Sequence, residues 1–313
     1  MIVVFGSINV DFVTRVPHIP RPGETVLAPT YARHHGGKGA NQAIAAARAA
    51  GPGIAVAMAG AVGEDALGAT ARANLAENGV DVAGLATVSA PTGVAFIGVD
   101  GTGENAITVA SGANALARPD GLAGSLAGAA VLVLQMEVPL AAVAAAARMG
   151  AEAGARVILN LAPVPVAPDP AALDALLAAT DVLVLNGPEA DALAAHLGVP
   201  GADGPARDSS LATRCGADVV VTAGAAGARA ATPAGETLRV PALPVDPVDT
   251  TGAGDAFVGA LAAALADGAT LADALDRAAV AGALACLAEG AQAASPTRAA
   301  IEAALRSRSG ARP

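Results

Sequence analysis

Short runs of aliphatic and β-branched residues alternate with longer alanine-rich stretches along most of the chain. Ile2–Phe5, Ile54–Ala59, Val131–Leu134, Arg156–Leu159, Val182–Leu185 and Val219–Val221 are nearly continuous apolar runs of strand length. Between them Ala40–Ala50, Asp65–Asn78, Leu140–Met149 and Ala171–Ala179 read as helices, and from Gly254 onward the chain is nearly all helical. Strands that are apolar on both faces and separated by helices predict a parallel sheet covered on both sides. Right-handed crossovers then give an α/β, doubly wound fold.

Two regions break this pattern. Phe12–His34 and Thr92–Ala110 alternate in polarity and carry turn residues, with Val94–Val99 and Asn105–Val109 forming a hairpin around Asp100-Gly101. They predict a small β-sheet lid made of residues 12–34 and 92–110, inserted into a main domain of residues 1–11, 35–91 and 111–313. A small sheet beside a crevice can close over a ligand, and its exposed face can pair with a second subunit as a homodimer clasp. Gly201–Ser210 reads as a polar surface loop.

Length and charge narrow the function. A chain of 313 residues holds one large α/β domain with a small appendage. It has no strongly apolar run of about 18 residues, and Met1–Gly6 reads as a strand rather than a signal peptide. Cys215 and Cys286 suit a reduced, cytoplasmic protein as ordinary small half-buried residues. A net charge of −10 argues against nucleic acid or an anionic membrane as partner, and 2% aromatic residues leave little for base stacking. An anionic ligand must therefore find positive potential locally, at helix starts, at a bound cation or at a rare basic side chain. Lys38 is the only lysine in the chain and stands between Gly37 and Gly39. That setting suggests close backbone approach to a ligand, with room for an ammonium and not for a guanidinium.

Polar residues collect at strand ends. Ile2–Phe5 runs into Gly6-Ser7-Ile8-Asn9-Val10-Asp11, and Val131–Leu134 into Gln135-Met136-Glu137. Arg156–Leu159 ends at Asn160, Val182–Leu185 at Asn186-Gly187-Pro188-Glu189, and Val219–Val221 at Thr222-Ala223-Gly224. Ligands bind at the carboxyl ends of open parallel sheets, so these five endings predict one wide polar cleft. The strongest motif is Asp249-Thr250-Thr251-Gly252-Ala253-Gly254-Asp255 before a helix. A Gly-x-Gly turn into a helix start offers free N–H groups to a phosphoryl group, beside a carboxylate that can take a hydroxyl proton. On the tetrapeptide alone, a capping aspartate after a tight turn is an equal reading. Other nucleotide and hydrolase signatures are absent: Gly37-Lys38 lacks P-loop spacing, no Gly-x-Gly-x-x-Gly follows the first strand, and no Gly-x-Ser-x-Gly elbow occurs. His18, His34, His35 and His196 make no zinc pattern with the cysteines.

Taken together, HGGKGANQAIAAARAAG from His35 to Gly51 and DTTGAGDAFVG from Asp249 to Gly259 resemble the two signatures of the ribokinase-like (PfkB) sugar and nucleoside kinases. Gly6–Asp11, Pro22–Thr25, Gly63–Gly68, Gly103–Asn105 and Gln135–Glu137 point to the ribokinase branch of that family. The resemblance implies an ATP-dependent kinase acting on the terminal hydroxyl of D-ribose. Asp255 would be the base, with Gly252, Ala253 and Gly254 as the anion hole, and Asn9, Asp11, Gly37, Lys38, Asn41 and Glu137 would contact sugar hydroxyls. Asn186 and Glu189 would organise Mg2+ and phosphates, and Thr222, Gly224 and Gly227, with Gly254, would line the ATP site. A K+ ion beside the anion-hole loop would be held by Asp249, Thr251, Ala285, Ala288, Gly290 and Ala294, mostly through backbone carbonyls. Ala294 stands where the family often has serine, with Ser295 one residue late, which implies a weakened site. Kinases of 2-deoxyribose, fructose or a nucleoside would keep the same catalytic residues. A non-catalytic sugar-binding descendant would be expected to lose Asp255 or its glycines.

Overall fold

The computed structural model describes residues 1–199 and 204–310. Its main sheet contains β1 (Ile2–Phe5), β4 (Val56–Gly63), β5 (Val80–Val88), β8 (Val131–Gln135), β9 (Arg156–Asn160), β10 (Val182–Asn186), β11 (Asp218–Thr222), β12 (Ala228–Ala231) and β13 (Thr237–Val240). The nine strands lie in the order β13-β12-β11-β10-β9-β8-β1-β4-β5, and all pairs are parallel except β11–β12 and β12–β13. From β1 the chain winds outward to β4 and β5, then returns to β8 and winds the other way. The strand order therefore reverses between β1 and β8, where a crevice opens at the carboxyl ends.

Helices cover both faces. The helices are α1 (Lys38–Ala49), α2 (Ala66–Glu77), α3 (Leu140–Glu152), α4 (Pro170–Ala178), α5 (Gly187–His196), α6 (Gly204–Cys215), α7 (Ala253–Ala266), α8 (Leu271–Ala285) and α9 (Arg298–Gly310). Alternation along β1 divides the core: Ile2 and Val4 pack with α1, α2, α7 and α8, while Val3 and Phe5 pack with α3, α4, α5 and α6. Full burial of each such side chain contributes about 1.5–3 kcal/mol. Alanine and glycine set the helix spacing. A Cβ on Gly259 of α7 would come within 2.5 Å of Ala45 Cβ on α1, so only glycine lets these two helices lie this close. One turn earlier on the same faces stand Asp255 of α7 and Asn41 and Gln42 of α1, which the contact brings together.

The second sheet contains β2 (Asn9–Arg15), β3 (Tyr31–Gly36), β6 (Gly93–Val99) and β7 (Asn105–Ala110), in the order β3-β2-β6-β7. It takes in Asn9–Asp11 and His35–Gly36, which the sequence reading gave to the main domain. One β-ladder thus carries Asn9 and Asp11 directly from the crevice into the second sheet. Residues 16–30 form no regular element. Three other elements differ from the sequence reading. Gly204–Ser210 opens α6 instead of lying in a loop, with Arg207 and Asp208 buried against Asp191 and Arg229; Gly201–Asp203 lie outside the described residues. β5 was not anticipated, because its polar and apolar residues mix on an edge strand. The short antiparallel pair β12–β13 was also missed, its strands having only four residues each.

Candidate active site

Asp255, the third residue of α7, is 7% exposed, and both carboxylate oxygens accept hydrogen bonds from α1. Asn41 Nδ2 donates to Oδ2 at 2.8 Å, and Gln42 Nε2 donates to Oδ1 at 2.9 Å. The carboxylate stands at the crevice beside Lys38, Asn160, Asn186, Glu189, Gly252 and Gly254, around a polar cavity of about 140 Å³.

On one side of Asp255 lie the residues expected to meet the sugar. Asn9 is buried, and its Oδ1 accepts from Asn114 Nδ2 at 2.8 Å; the same Asn114 amide bonds both N–H and C=O of Ile8. Glu137 Oε2 accepts from Ser7 Oγ at 2.6 Å and from the Lys38 backbone N–H at 3.1 Å. Asp11 packs on Gly36, where any Cβ would strike its carboxylate. Burial above all, then the charges of Glu137 and Asp255, push the Asp11 carboxyl up to about 6. Three acids therefore face one small volume, as suits several hydroxyl donors.

Lys38 shows two features that its sequence setting did not. It lines the cavity of Asn186, Glu189, Gly254 and Asp255, while its backbone N–H reaches Glu137. Its flanking glycines are required by the protein's own packing. Gly37 has φ 87°, and a Cβ there would come within 3 Å of Ser7–Asn9 backbone atoms; a Cβ at Gly39 would strike Gly6 and Ser7. Asp255 most of all raises the Lys38 pKa against the opposing effect of burial, with Glu137 and Glu189 adding to the rise.

Gly252 caps α7 in the left-handed region at φ 77°, and a Cβ on it would lie 2.5 Å from Ala291 Cβ. The backbone N–H of Ala253 turns back to Thr250 O at 3.3 Å. Those of Gly252, Gly254 and Asp255 have no partner among the described residues and form the donor set at the helix start. A Cβ on Gly254 would meet no protein atom within 4 Å. Behind this turn opens a cavity of about 520 Å³, lined by Thr222, Gly224, Gly227, Leu243, Pro244, Val245, Phe257, Ala279 and Ala283 among others. Its size and mostly apolar lining suit a planar heterocycle and sugar, and it meets the polar cavity at Thr222 and Gly254. Gly227, at φ 89°, is held by the close passage of Val240 and Ala242. At the far wall Asn186 and Glu189 form a capping box at the start of α5, each side chain bonded to the other's backbone N–H at 2.8 Å. Burial raises the Glu189 pKa, opposed by the Asn186 N–H and by Lys38.

The loop expected to hold a monovalent cation is tied to the anion-hole turn. Asp249 accepts from Thr251 N at 2.9 Å and from Gly290 N at 3.0 Å. Ala285 ends α8, Ala288 follows, and the Gly290 carbonyl accepts from Ala294 N. Ser295 Oγ donates to Ala291 O at 3.2 Å, so this hydroxyl is engaged within its own turn.

Residues 1–298 match the pfkB family of carbohydrate kinases. The chain belongs to that family. It is 36% identical over 302 residues to the ribokinase of Haemophilus influenzae, covering 94% of this chain and 95% of that protein. Among solved structures, Thermotoga maritima ribokinase superposes with a TM-score of 0.88 at 32% identity, over 97% of this chain and 99% of the other. Arabidopsis thaliana ribokinase complexed with ribose and ATP gives 0.86 at 30% identity, over 97% and 98%.

For a carbohydrate kinase the layout is economical. The apolar cavity, the open helix start of α7, the Asp255 carboxylate and the acid-lined pocket follow one another along the crevice, and the two cavities share Thr222 and Gly254. Sequence reasoning placed Ser7, Gln135 and Asn160 at the cleft without a role for any of them, and missed Gln42, Asn114 and Gln292, which also hold this layout. A signal for one was present, since Gln42 shares a helical face with Ala45 and Ala46 and is a long polar side chain on an otherwise small, apolar stripe.

Proposed function

We propose that this carbohydrate kinase transfers the γ-phosphoryl group of ATP to the terminal hydroxyl of D-ribose. The observation that carries the reading is the end-to-end placement of an apolar cavity, three free helix-start N–H groups and a doubly hydrogen-bonded carboxylate beside Asn9, Asp11 and Glu137. Asp255 accepts the hydroxyl proton as the sugar oxygen attacks phosphorus. The N–H groups of Gly252, Gly254 and Asp255 hold the charge on the transferred group, and Lys38 neutralises it from the opposite wall. Asn9, Asp11, Asn41 and Glu137 orient the sugar. These acceptors suit an uncharged polyol, and no arginine pair near them would meet a sugar phosphate.

Asn186 and Glu189 fit Mg2+ bound through water, because Glu189 keeps one carboxylate oxygen outside its capping box; the ion would offset phosphate charge. Asp249, Thr251, Ala285, Ala288, Gly290 and Ala294 fit a weak K+ site whose ion would stiffen the anion-hole loop. The exposed faces of Phe96, Tyr31, Ile107 and Val109, with Phe12 stacked on Phe96, support a homodimer through the second sheet. Two free cysteines support a cytoplasmic setting; none of the described helices is long and apolar enough to cross a membrane. A panel of sugars assayed by ADP release tests the substrate. Ribose is expected to give the highest kcat/KM, above 2-deoxyribose, fructose and adenosine, and a higher value for any of these overturns the assignment.

A further inference from the structure

The hydrogen bonds on Asp255 are the ends of two chains of carboxamides. On one side, Gln42 Oε1 accepts from Gln135 Nε2 at 2.7 Å, while Gln42 Nε2 donates both to Asp255 Oδ1 and to Asn160 Oδ1 at 3.0 Å. Asn160 is itself fixed, since its Nδ2 donates to Val184 O at 3.2 Å. On the other side, Asn74 Nδ2 donates to Gln292 Oε1 at 2.6 Å, Gln292 Nε2 to Asn41 Oδ1 at 3.0 Å, and Asn41 Nδ2 to Asp255 Oδ2. Gln42, Asn41, Gln135, Asn160 and Gln292 are all buried. Gln135, Gln42, Asn74, Gln292 and Asn41 each turn an N–H toward the carboxylate and the oxygen away, while Asn160 accepts from Gln42 at the side of the first chain.

That polarity is imposed from the Asp255 end. Reversing Gln42 would set its oxygen against the Asp255 carboxylate, and reversing Gln135 alone would set two amide oxygens together. Gln135 Oε1 is left buried without a partner as a result. An unpaired buried acceptor is unfavourable, and only a larger interaction elsewhere in the chain offsets it. Gly6 accommodates that oxygen, since any Cβ there would overlap it.

Building on the base assignment above, we infer that Gln42 and Gln292 are positioning residues that fix the plane of the Asp255 carboxylate. Two donors on two different oxygens prevent rotation about the terminal bond, so one face of the carboxylate stays turned to the sugar hydroxyl. Neutral amides suit this task, because they hold the carboxylate without offering it a proton. The Gln292 branch has a second consequence. Gln292 lies in the turn after Gly290, and the Arg48 guanidinium of α1 donates to the carbonyls of Gln292, Ala293 and Ser295 at 2.9–3.0 Å. The cation loop therefore contacts the base by a direct route, Gln292 to Asn41 to Asp255, separate from the Asp249–Thr251 route to the anion hole.

The test is a double-mutant cycle between Gln42→Met and Asp255→Asn, with ribose and ATP as substrates. Gln42→Met keeps the side-chain length and removes the donors. It is expected to lower kcat about 10- to 100-fold, the scale of a misaligned reacting group, with KM for both substrates within about threefold of wild type. In the Asp255→Asn background the same change should alter the residual rate less than about twofold, because a residue acting only through Asp255 has nothing left to act on. Gln292→Met should repeat the pattern with a smaller loss, and it decides the matter if Gln42→Met does not fold. Equal losses in both backgrounds, or wild-type kcat in the glutamine variants while Asp255→Asn is inactive, overturn the inference. A near-normal rate in Asp255→Asn instead overturns the base assignment beneath it.

Discussion

The two halves of the crevice are built from different materials. On the proposed sugar side, polar groups come from side chains: Ser7, Asn9, Asn41, Glu137 and Asp255, each held by a hydrogen bond, and Asp11, packed on Gly36. On the proposed nucleotide side, the wall of the larger cavity is mostly small and apolar, and the unpartnered N–H groups of the α7 start stand at its mouth. The difference follows from what each half must recognise. A small polyol has only its hydroxyls to distinguish it, so directional side-chain acceptors select it. A nucleotide offers a broad apolar ring and an anionic tail, which a shaped slot and a helix start can hold with no specific side chain. Substitutions should therefore act by chemistry on one side and by shape on the other.

Gly254 offers the sharpest way to break this comparison. Its backbone is unstrained and a Cβ would touch no protein atom, so only a bound ligand has need of the empty space. Gly254→Ala is expected to melt within a few degrees of wild type and to lose about 100-fold in kcat/KM for ATP, since a displacement near 1 Å has that effect. Gly252→Ala should instead lose stability, because its left-handed φ and the contact with Ala291 belong to the fold. If both variants behave alike in thermal melting and in kinetics, shape is not what the glycine turn supplies.

Lys38 crosses the boundary between the halves. Its backbone N–H donates to Glu137, and the residue lines the cavity of Asn186 and Glu189 where the proposed transfer would place the phosphoryl group. Lys38→Arg keeps the charge but brings a broad planar fork into a cavity of about 140 Å³. The expected result is a loss of roughly tenfold in kcat, equal to about 1.4 kcal/mol, with ribose KM little changed. A rise confined to ribose KM would return the ammonium to the sugar side.

How much of this was legible in the sequence differs between the halves for the same reason. Strand-end polar residues and the Asp249–Asp255 motif are side-chain signals, and they located the crevice with Asp255 in its wall. The nucleotide slot has almost no such signal: Leu243, Pro244, Val245 and Ala279 read as ordinary loop and core residues until the fold brings them together. The glycines beside Lys38 meet the backbone of Gly6–Asn9, an approach that sequence cannot tell from close approach to a ligand. Gln292 was illegible for another reason, as its importance depends on contacts with Asn41 and Asn74 more than two hundred residues away. Gly204–Ser210 was read as a loop from its polarity, yet Arg207 and Asp208 satisfy each other in the interior.

Asp11 gives the proposed sugar side a pH dependence of its own. Its carboxyl titrates at about 6 in the folded protein, above its usual value of 3.8. Between these values the folded state binds the extra proton, so this group weakens the fold as pH rises from about 4 to 6 and by a constant amount above that. Asp11→Asn is therefore expected to stabilise the apo protein at pH 8 by about 1–3 kcal/mol while raising ribose KM. In wild type, kcat/KM for ribose should fall as pH drops through about 6, with KM for ATP nearly flat. Denaturant melts at pH 8 and ribose kinetics from pH 5 to 8 check both. Parallel falls in the two substrates' kcat/KM would place the titration elsewhere.

The smallest expected effect concerns K+ and falls where the halves join. Its loop is already braced without an ion: Asp249 bonds the N–H groups of Thr251 and Gly290, and Arg48 gathers three carbonyls of the following turn. Ala294 supplies no side-chain oxygen, and the Ser295 hydroxyl that could replace it donates to Ala291 O. A cation bound here adds rigidity to a loop that largely has it. Activation should therefore be modest, roughly up to fivefold or about 1 kcal/mol in the barrier, and should need high K+. Because the loop meets the anion hole through Thr251 and the base through Gln292, the change should appear in kcat more than in either KM. Rates measured against K+ at constant ionic strength, with a large organic cation as replacement, decide it. Equal rates with and without K+ would mean that the protein's own braces have taken over the ion's task, and a rise far above fivefold would mean that they have not.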